Sequence, residues 1–154
     1  MPNELLAEQG LRGRPVTTAL EWERHFGVAP AITSALSEYD AARLIGHDDD
    51  SFSLDCVGRT AVTRGSDFTH DGLRYQVKAN RPSGKKGSFV TLVSKASNYE
   101  WDRLIWILYD RFYQPQEAWE WKVADYRSAF DVKSRLSPTD MRRGRALVLL
   151  YPSE

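Results

Sequence analysis

Six consecutive apolar side chains, Leu104-Ile105-Trp106-Ile107-Leu108-Tyr109, constrain the fold of this chain more than any other feature. A run of that length without polar alternation fits a strand buried on both faces, and such a strand needs a layer of structure on each side. Glu117 to Lys122 is the expected partner strand, because Trp119 and Trp121 at alternate positions share a face and tryptophan is favoured in strands. Asp71-Gly72 is a strong hairpin signal between two short runs, Asp67-Phe68-Thr69 and Leu73 to Lys78. Two further strands are expected, one over the alternation Phe52, Leu54, Cys56 and one over Phe89 to Val93.

Helical patterns surround these strands. One helix is expected from Thr18 to about Phe26, ending at Gly27. A second follows Pro30, with Ile32, Ala35, Leu36, Tyr39 and Ala42 at helical spacing until Gly46. Ser97 and Glu100 have capping-box spacing and predict a helical turn before Asp102. A helix is expected near Val123 to Phe130, and Ser137-Pro138-Thr139-Asp140 combines an N-cap, a proline at the first position and an acid, predicting a last short helix through Arg143. The class is α/β (α+β), a central mixed sheet flanked by helices. Residues 1–16, with Gly10, Gly13 and Pro15 among polar neighbours, are expected to be poorly anchored, and 17–154 to form a single domain.

Nothing in the chain reads as a membrane span or as a signal peptide, so a cytoplasmic location is expected. Cys56 is the single cysteine, which excludes an internal disulfide and a cysteine-rich zinc cluster. The net charge is zero, with 21 basic and 21 acidic side chains, yet the charges are segregated. Up to Gly72 acids dominate, including Asp48-Asp49-Asp50, which reads as a solvated turn. Arg74, Lys78, Arg81, Lys85, Lys86 and Lys95 then precede the next acid, Glu100, and Arg142, Arg143 and Arg145 form a second basic group. Such a split suits an anionic partner, and the alternative is an ordinary solvated loop.

The informative constellation is Asp67, then Gln76-Val77-Lys78, with Glu38 upstream on a helix. Side chains 76 and 78 of one strand point to the same face, and the hairpin brings Asp67 beside them. Hydrolysis of a phosphodiester requires its negative charge to be neutralised. Mg2+, for which Mn2+ can substitute, takes hard oxygen ligands and needs only one or two carboxylates beside substrate phosphates. Asp67, the Gln76 amide oxygen and the Val77 carbonyl could supply ligands, Glu38 could hold a water, and Lys78 could orient the nucleophile and stabilise developing charge. Arg81, Lys85, Lys86 and Lys95 would hold the nucleic-acid backbone. The plainer alternative is a surface ion pair between Asp67 and Lys78 with Gln76 merely solvated.

These residues resemble the PD-(D/E)XK nuclease superfamily, over roughly Ser34 to Tyr109. The resemblance lies in Ser37-Glu38-Tyr39-Asp40-Ala41-Ala42 at the helix, Gly65-Ser66-Asp67-Phe68 at a strand start, and Tyr75-Gln76-Val77-Lys78. It implies a restriction-endonuclease-like α-β-β-β-α-β core and gives Glu38, Asp67, Gln76 and Lys78 the metal and water roles. Ser66 stands where the signature proline would, and Gln76 where an acid would, which removes one negative charge from the metal site. The expected function is a Mg2+-dependent endonuclease acting on double-stranded DNA, as a homodimer because a duplex has two strands to cut. The alternatives are a non-catalytic nucleic-acid-binding module on the same fold and a protein-interaction domain using the acidic half.

Competing signals are weaker. Asp71 fits a turn residue better than a metal ligand. His25, His47 and His70 lack paired ligand spacing, although His70 lies nearest the proposed site. Trp22 to Val28 followed by a helix could suggest helix-turn-helix recognition, but Glu38 and Asp40 would make a poor reader of base edges. Trp101, Trp106, Trp119 and Trp121 fit core packing better than base stacking, and Gly84-Lys85-Lys86-Gly87 lacks the flanking pattern of a nucleotide loop.

Overall fold

The computed structural model describes residues 10–57 and 66–149. Among them the order is α1 (Gly10–Phe26), α2 (Thr33–Leu44), α3 (Asp49–Val57), β1 (Phe68–His70), β2 (Leu73–Asn80), β3 (Arg103–Tyr109), β4 (Pro115–Lys122), α4 (Val123–Phe130), α5 (Pro138–Met141) and β5 (Arg145–Ala146). The strands form one mixed sheet in the order β1-β2-β3-β4-β5, parallel only between β2 and β3. This is an α/β fold.

The apolar run supplies β3, the middle strand. Leu104, Ile105, Trp106 and Ile107 are all fully buried, as a strand covered on both faces requires. Ile105, Ile107 and Tyr109 join Tyr75 and Val77 of β2 in a core with Val16 and Ala19 of α1 and Leu36, Ala41 and Ala42 of α2. Leu104, Trp106 and Trp121 face the other way, into a core with Trp101, Tyr126, Phe130, Leu136 and Met141. The tryptophans of the second half therefore serve packing, with the Trp106 indole N–H satisfied by Asn80 Oδ1 at 2.9 Å. Asp71 (φ 50°) and Gly72 (φ 77°) make the two-residue turn between His70 and Leu73, with the positive angles a type I′ turn requires.

Several expectations are corrected. The helix expected from Thr18 already runs from Gly10, and residues 10–16 are anchored: Arg12 donates to both oxygens of buried Asp40, at 2.7 and 2.9 Å, and to the Tyr113 carbonyl at 2.7 Å. Residues 1–9 of the expected loose segment lie outside the described residues. The run through Phe52 and Cys56 is helical, not a strand, because Asp48 Oδ1 accepts from the Ser51 amide at 2.7 Å and Asp49 and Asp50 fill a first turn that favours acids. The solvated acidic turn is thus a helix start. The strand expected over Phe89–Val93 reduces to one bridge from Val93 to Leu136, with Phe89 fully outside the sheet. Among the described residues Ser97 caps nothing; Asn98 Oδ1 takes the Glu100 amide at 2.8 Å, a local turn that replaces the helical one.

The short helix α5 forms as its residues dictate. Ser137 Oγ accepts from the Asp140 amide at 3.3 Å while Asp140 Oδ2 accepts from the Ser137 amide at 2.9 Å. Ser137→Ala is expected to lower stability by about 1 kcal/mol, read as a shifted urea midpoint at constant slope. An unmoved midpoint would show that the cap contributes nothing.

Candidate active site

β1 is shorter than β2, so among the described residues the outer edge of β2 is open beyond its pairing with β1. The pairing ends at Phe68 opposite Tyr75, and the Asp67 amide adds one last bond to the Tyr75 carbonyl at 2.7 Å. The Asp67 side chain then turns along the open edge. Its Oδ2 accepts from the Val77 amide at 2.7 Å and from Gln76 Nε2 at 3.2 Å. Because the Val77 amide faces this edge, its carbonyl faces the same edge, as in any extended strand.

A cleft of about 280 Å³ opens here, lined by Thr33, Ser34, Ser37 and Glu38 of α2, by Asp67, by Gln76, Val77, Lys78 and Ala79 of β2, and by Ser94. The structure brings together all four expected site residues, Glu38, Asp67, Gln76 and Lys78. α2 reaches the cleft because Leu36, Ala41 and Ala42 hold its apolar face on β2 and β3, which turns Ser34, Ser37 and Glu38 to the rim. Gln76 and Lys78 lie on the face opposite Tyr75 and Val77, in register with Leu104 and Trp106.

The Asp67–Lys78 ion pair of the plainer alternative does not form: Asp67 binds Val77 and Gln76 instead, and among the described residues the Lys78 ammonium has no hydrogen bond or ion pair. Asp67 Oδ1 likewise accepts nothing among the described residues. The N-cap of α2 is Ile32, whose side chain cannot cap, so the first N–H groups of the helix add positive potential at Thr33 and Ser34 on the rim. The result is a polar cleft with an unpaired ammonium, an uncapped helix start and a carboxylate.

No group of three or more His, Cys, Asp or Glu side chains among the described residues is arranged to hold a metal ion. The donors that could hold a hard dication are Asp67 Oδ1, the Gln76 amide oxygen and the Val77 carbonyl, with Glu38 also on the cleft wall. This set fits an ion that keeps most of its waters and takes further oxygens from a phosphate.

The expected phosphate contacts divide. Lys85 and Lys86 are exposed, and Lys85 lines a second cleft that shares Thr33 with the first. Arg81 instead turns inward: it donates to Glu23 at 2.6 and 2.9 Å and to the Arg111 carbonyl, and it lies 4.4 Å from the Tyr113 ring centre. These bonds hold the Glu23 carboxyl below its ordinary range. Lys95 donates to the carbonyls of Asp131 and Lys133, at 2.8 and 3.0 Å. Arg142 and Arg145 pair with Glu117 and Glu120 of β4. These four side chains hold elements together, a role that charge counting along the sequence does not separate from phosphate binding.

The hydroxyl wall of Thr33, Ser34, Ser37 and Ser94 was not singled out from the sequence. Ser34, Ser37 and Glu38 at i, i+3 and i+4 was the available signal, since helical residues at that spacing share a face. Ser94 carried none, because its segment reads as a strand continuation. No protein-family model matches the chain, and no similar sequence is found among curated proteins.

Proposed function

We propose that this chain is a Mg2+-dependent endonuclease that hydrolyses phosphodiester bonds in double-stranded DNA, built on a restriction-endonuclease-like core. The carrying observation is the convergence on one open cleft of Glu38, Asp67, Gln76 and Lys78, whose ammonium has no hydrogen bond or ion pair among the described residues. Their donor types match the needs of an anionic substrate attacked by water. A bound Mg2+, or Mn2+ in its place, would neutralise phosphate charge and favour ionisation of water. Asp67, Gln76 and the Val77 carbonyl would hold it. Lys78 orients the attacking water and donates to phosphoryl oxygens as charge builds on them, and Glu38 accepts a hydrogen bond from that water. The α2 N-terminus adds favourable potential for the phosphate. Lys85 and Lys86 give the neighbouring backbone phosphates a basic edge, whereas Arg81 and Lys95 take no part in this scheme.

Among the described residues no helix is long and apolar enough to cross a membrane. We place the enzyme in the cytoplasm, as a homodimer whose two clefts address the two strands. The test is nicking and linearisation of supercoiled plasmid by the purified chain with Mg2+, expected to stop completely with a chelator. Cleavage that persists with chelator, or none with either Mg2+ or Mn2+, overturns the assignment.

One observation favours a second reading, a non-catalytic nucleic-acid-binding module. The Gln76 amide donates to Asp67 Oδ2 without any cation, so this oxygen needs no bound ion to be satisfied. That reading expects DNA binding that weakens steeply with salt and no cleavage under any metal.

A further inference from the structure

At the end of β1 opposite Asp67, two imidazoles meet. His47, buried between α2 and α3, stacks on Phe68 with ring centres 5.4 Å apart, and its Nδ1 lies 2.9 Å from Nδ1 of His70 at the end of β1. Each ring's other nitrogen faces a carboxylate: His47 Nε2 is 2.9 Å from Asp55 Oδ2 on α3, and His70 Nε2 is 3.3 Å from Asp71 Oδ2.

With a hydrogen on each Nε2, donated to the facing carboxylate, each Nδ1 presents a lone pair. Two lone pairs facing at 2.9 Å repel unless a cation lies between them. A proton can fill that place, and so can a metal ion. Carboxylates on both Nε2 atoms are the support that metal-binding histidines receive, fixing the tautomer and raising the basicity of the ligating nitrogen.

We propose that His47 and His70 form a metal site for a borderline first-row dication of the Zn2+ type, bound through both Nδ1 atoms, with water completing the shell. Imidazole selects such an ion over Mg2+, so this site is chemically separate from the Asp67 cleft. With metal–nitrogen bonds of about 2.0–2.1 Å, the observed separation sets a ligand angle of about 90°, a cis pair. A proton held between the two Nδ1 atoms must leave to solvent before the ion binds. The ion would clip the residues preceding α3 to the β1–β2 hairpin. α3 has need of such a clip, because none of its own residues is fully buried.

The test is calorimetric titration of the full chain with Zn2+ alone near neutral pH, in two buffers of different ionisation enthalpy. One Zn2+ per chain is expected, the buffer pair counting any proton released, with a Tm raised by roughly 5–10 °C at a hundredfold excess over Kd. His70→Asn, a change at a partly exposed position, is expected to weaken binding at least about 100-fold, and Asp55→Asn by about 10–100-fold. Asp67→Asn should leave it unchanged. The proposal is overturned if no saturable Zn2+ binding occurs, if His70→Asn binds as the parent does, or if the ion is lost with Asp67→Asn. It stands or falls independently of DNA cleavage.

Discussion

Replacing Lys78 with alanine is expected to slow phosphodiester cleavage by roughly 10²–10³-fold, the loss typical when one donor to a developing oxyanion is removed. The folded chain should not notice. Lys78 makes no hydrogen bond or ion pair among the described residues, and its strand is fixed by Tyr75, Val77 and the ladder to β3, so the change in stability should stay within about 0.5 kcal/mol. Rate and stability are therefore separable at this position, which is seldom so for a side chain rising from a central sheet. Single-turnover cleavage at saturating Mg2+, measured beside a thermal melt, checks both halves. Equal rates for parent and variant would remove Lys78 from the mechanism and with it most of the case for catalysis. A large drop in Tm would instead reveal a structural partner for the ammonium.

The separation between legible and illegible parts of this chain has a physical basis. β3, β4 and the β1–β2 hairpin could be read because each is specified by local chemistry: an unbroken apolar run, alternating tryptophans, and Asp71-Gly72 with its demand for positive φ. α4 and α5 were equally local, the latter through Ser137 and Asp140. Asp48 to Cys56 misled because Phe52, Leu54 and Cys56 alternate like a strand, while capping by Asp48 and acids in the first turn decide for helix. Alternation over so few residues is a weak constraint beside a satisfied helix N-terminus. Arg12 was unreadable for another reason. Its partners, Asp40 and the Tyr113 carbonyl, lie far along the chain, and no local pattern announces a long-range ion pair. The same holds for Arg81 and Lys95: as sequence they are members of a basic stretch, and only the fold assigns them to Glu23 and to the carbonyls near α4. For the cleft, spacing placed Asp67 beside Gln76, yet the hydrogen bond between them, and the absence of one to Lys78, depended on where β1 stops.

That bond makes Gln76→Glu the sharper experiment on the site. Gln76 Nε2 donates to Asp67 Oδ2 at 3.2 Å, and glutamate would replace this donor with a second acceptor carrying charge. Without a cation the two carboxylates repel across a partly solvated edge, and the variant is expected to lose about 1–2 kcal/mol. With Mg2+ the sign reverses, because the same pair now offers two charged oxygens where the parent offers one and an amide. Mg2+ should therefore bind the variant at least about tenfold more tightly, raise its Tm more than it raises the parent's, and speed cleavage when the ion is limiting. Thermal melts across a Mg2+ titration and plasmid cleavage at low Mg2+ measure the two consequences. The parent's amide would then be a device that keeps the edge stable when the ion is absent, at the expense of affinity. If Mg2+ stabilises neither protein and the variant cleaves nothing, Asp67 and residue 76 do not hold a cation, and the cleft is a phosphate-binding surface centred on Lys78 and the start of α2.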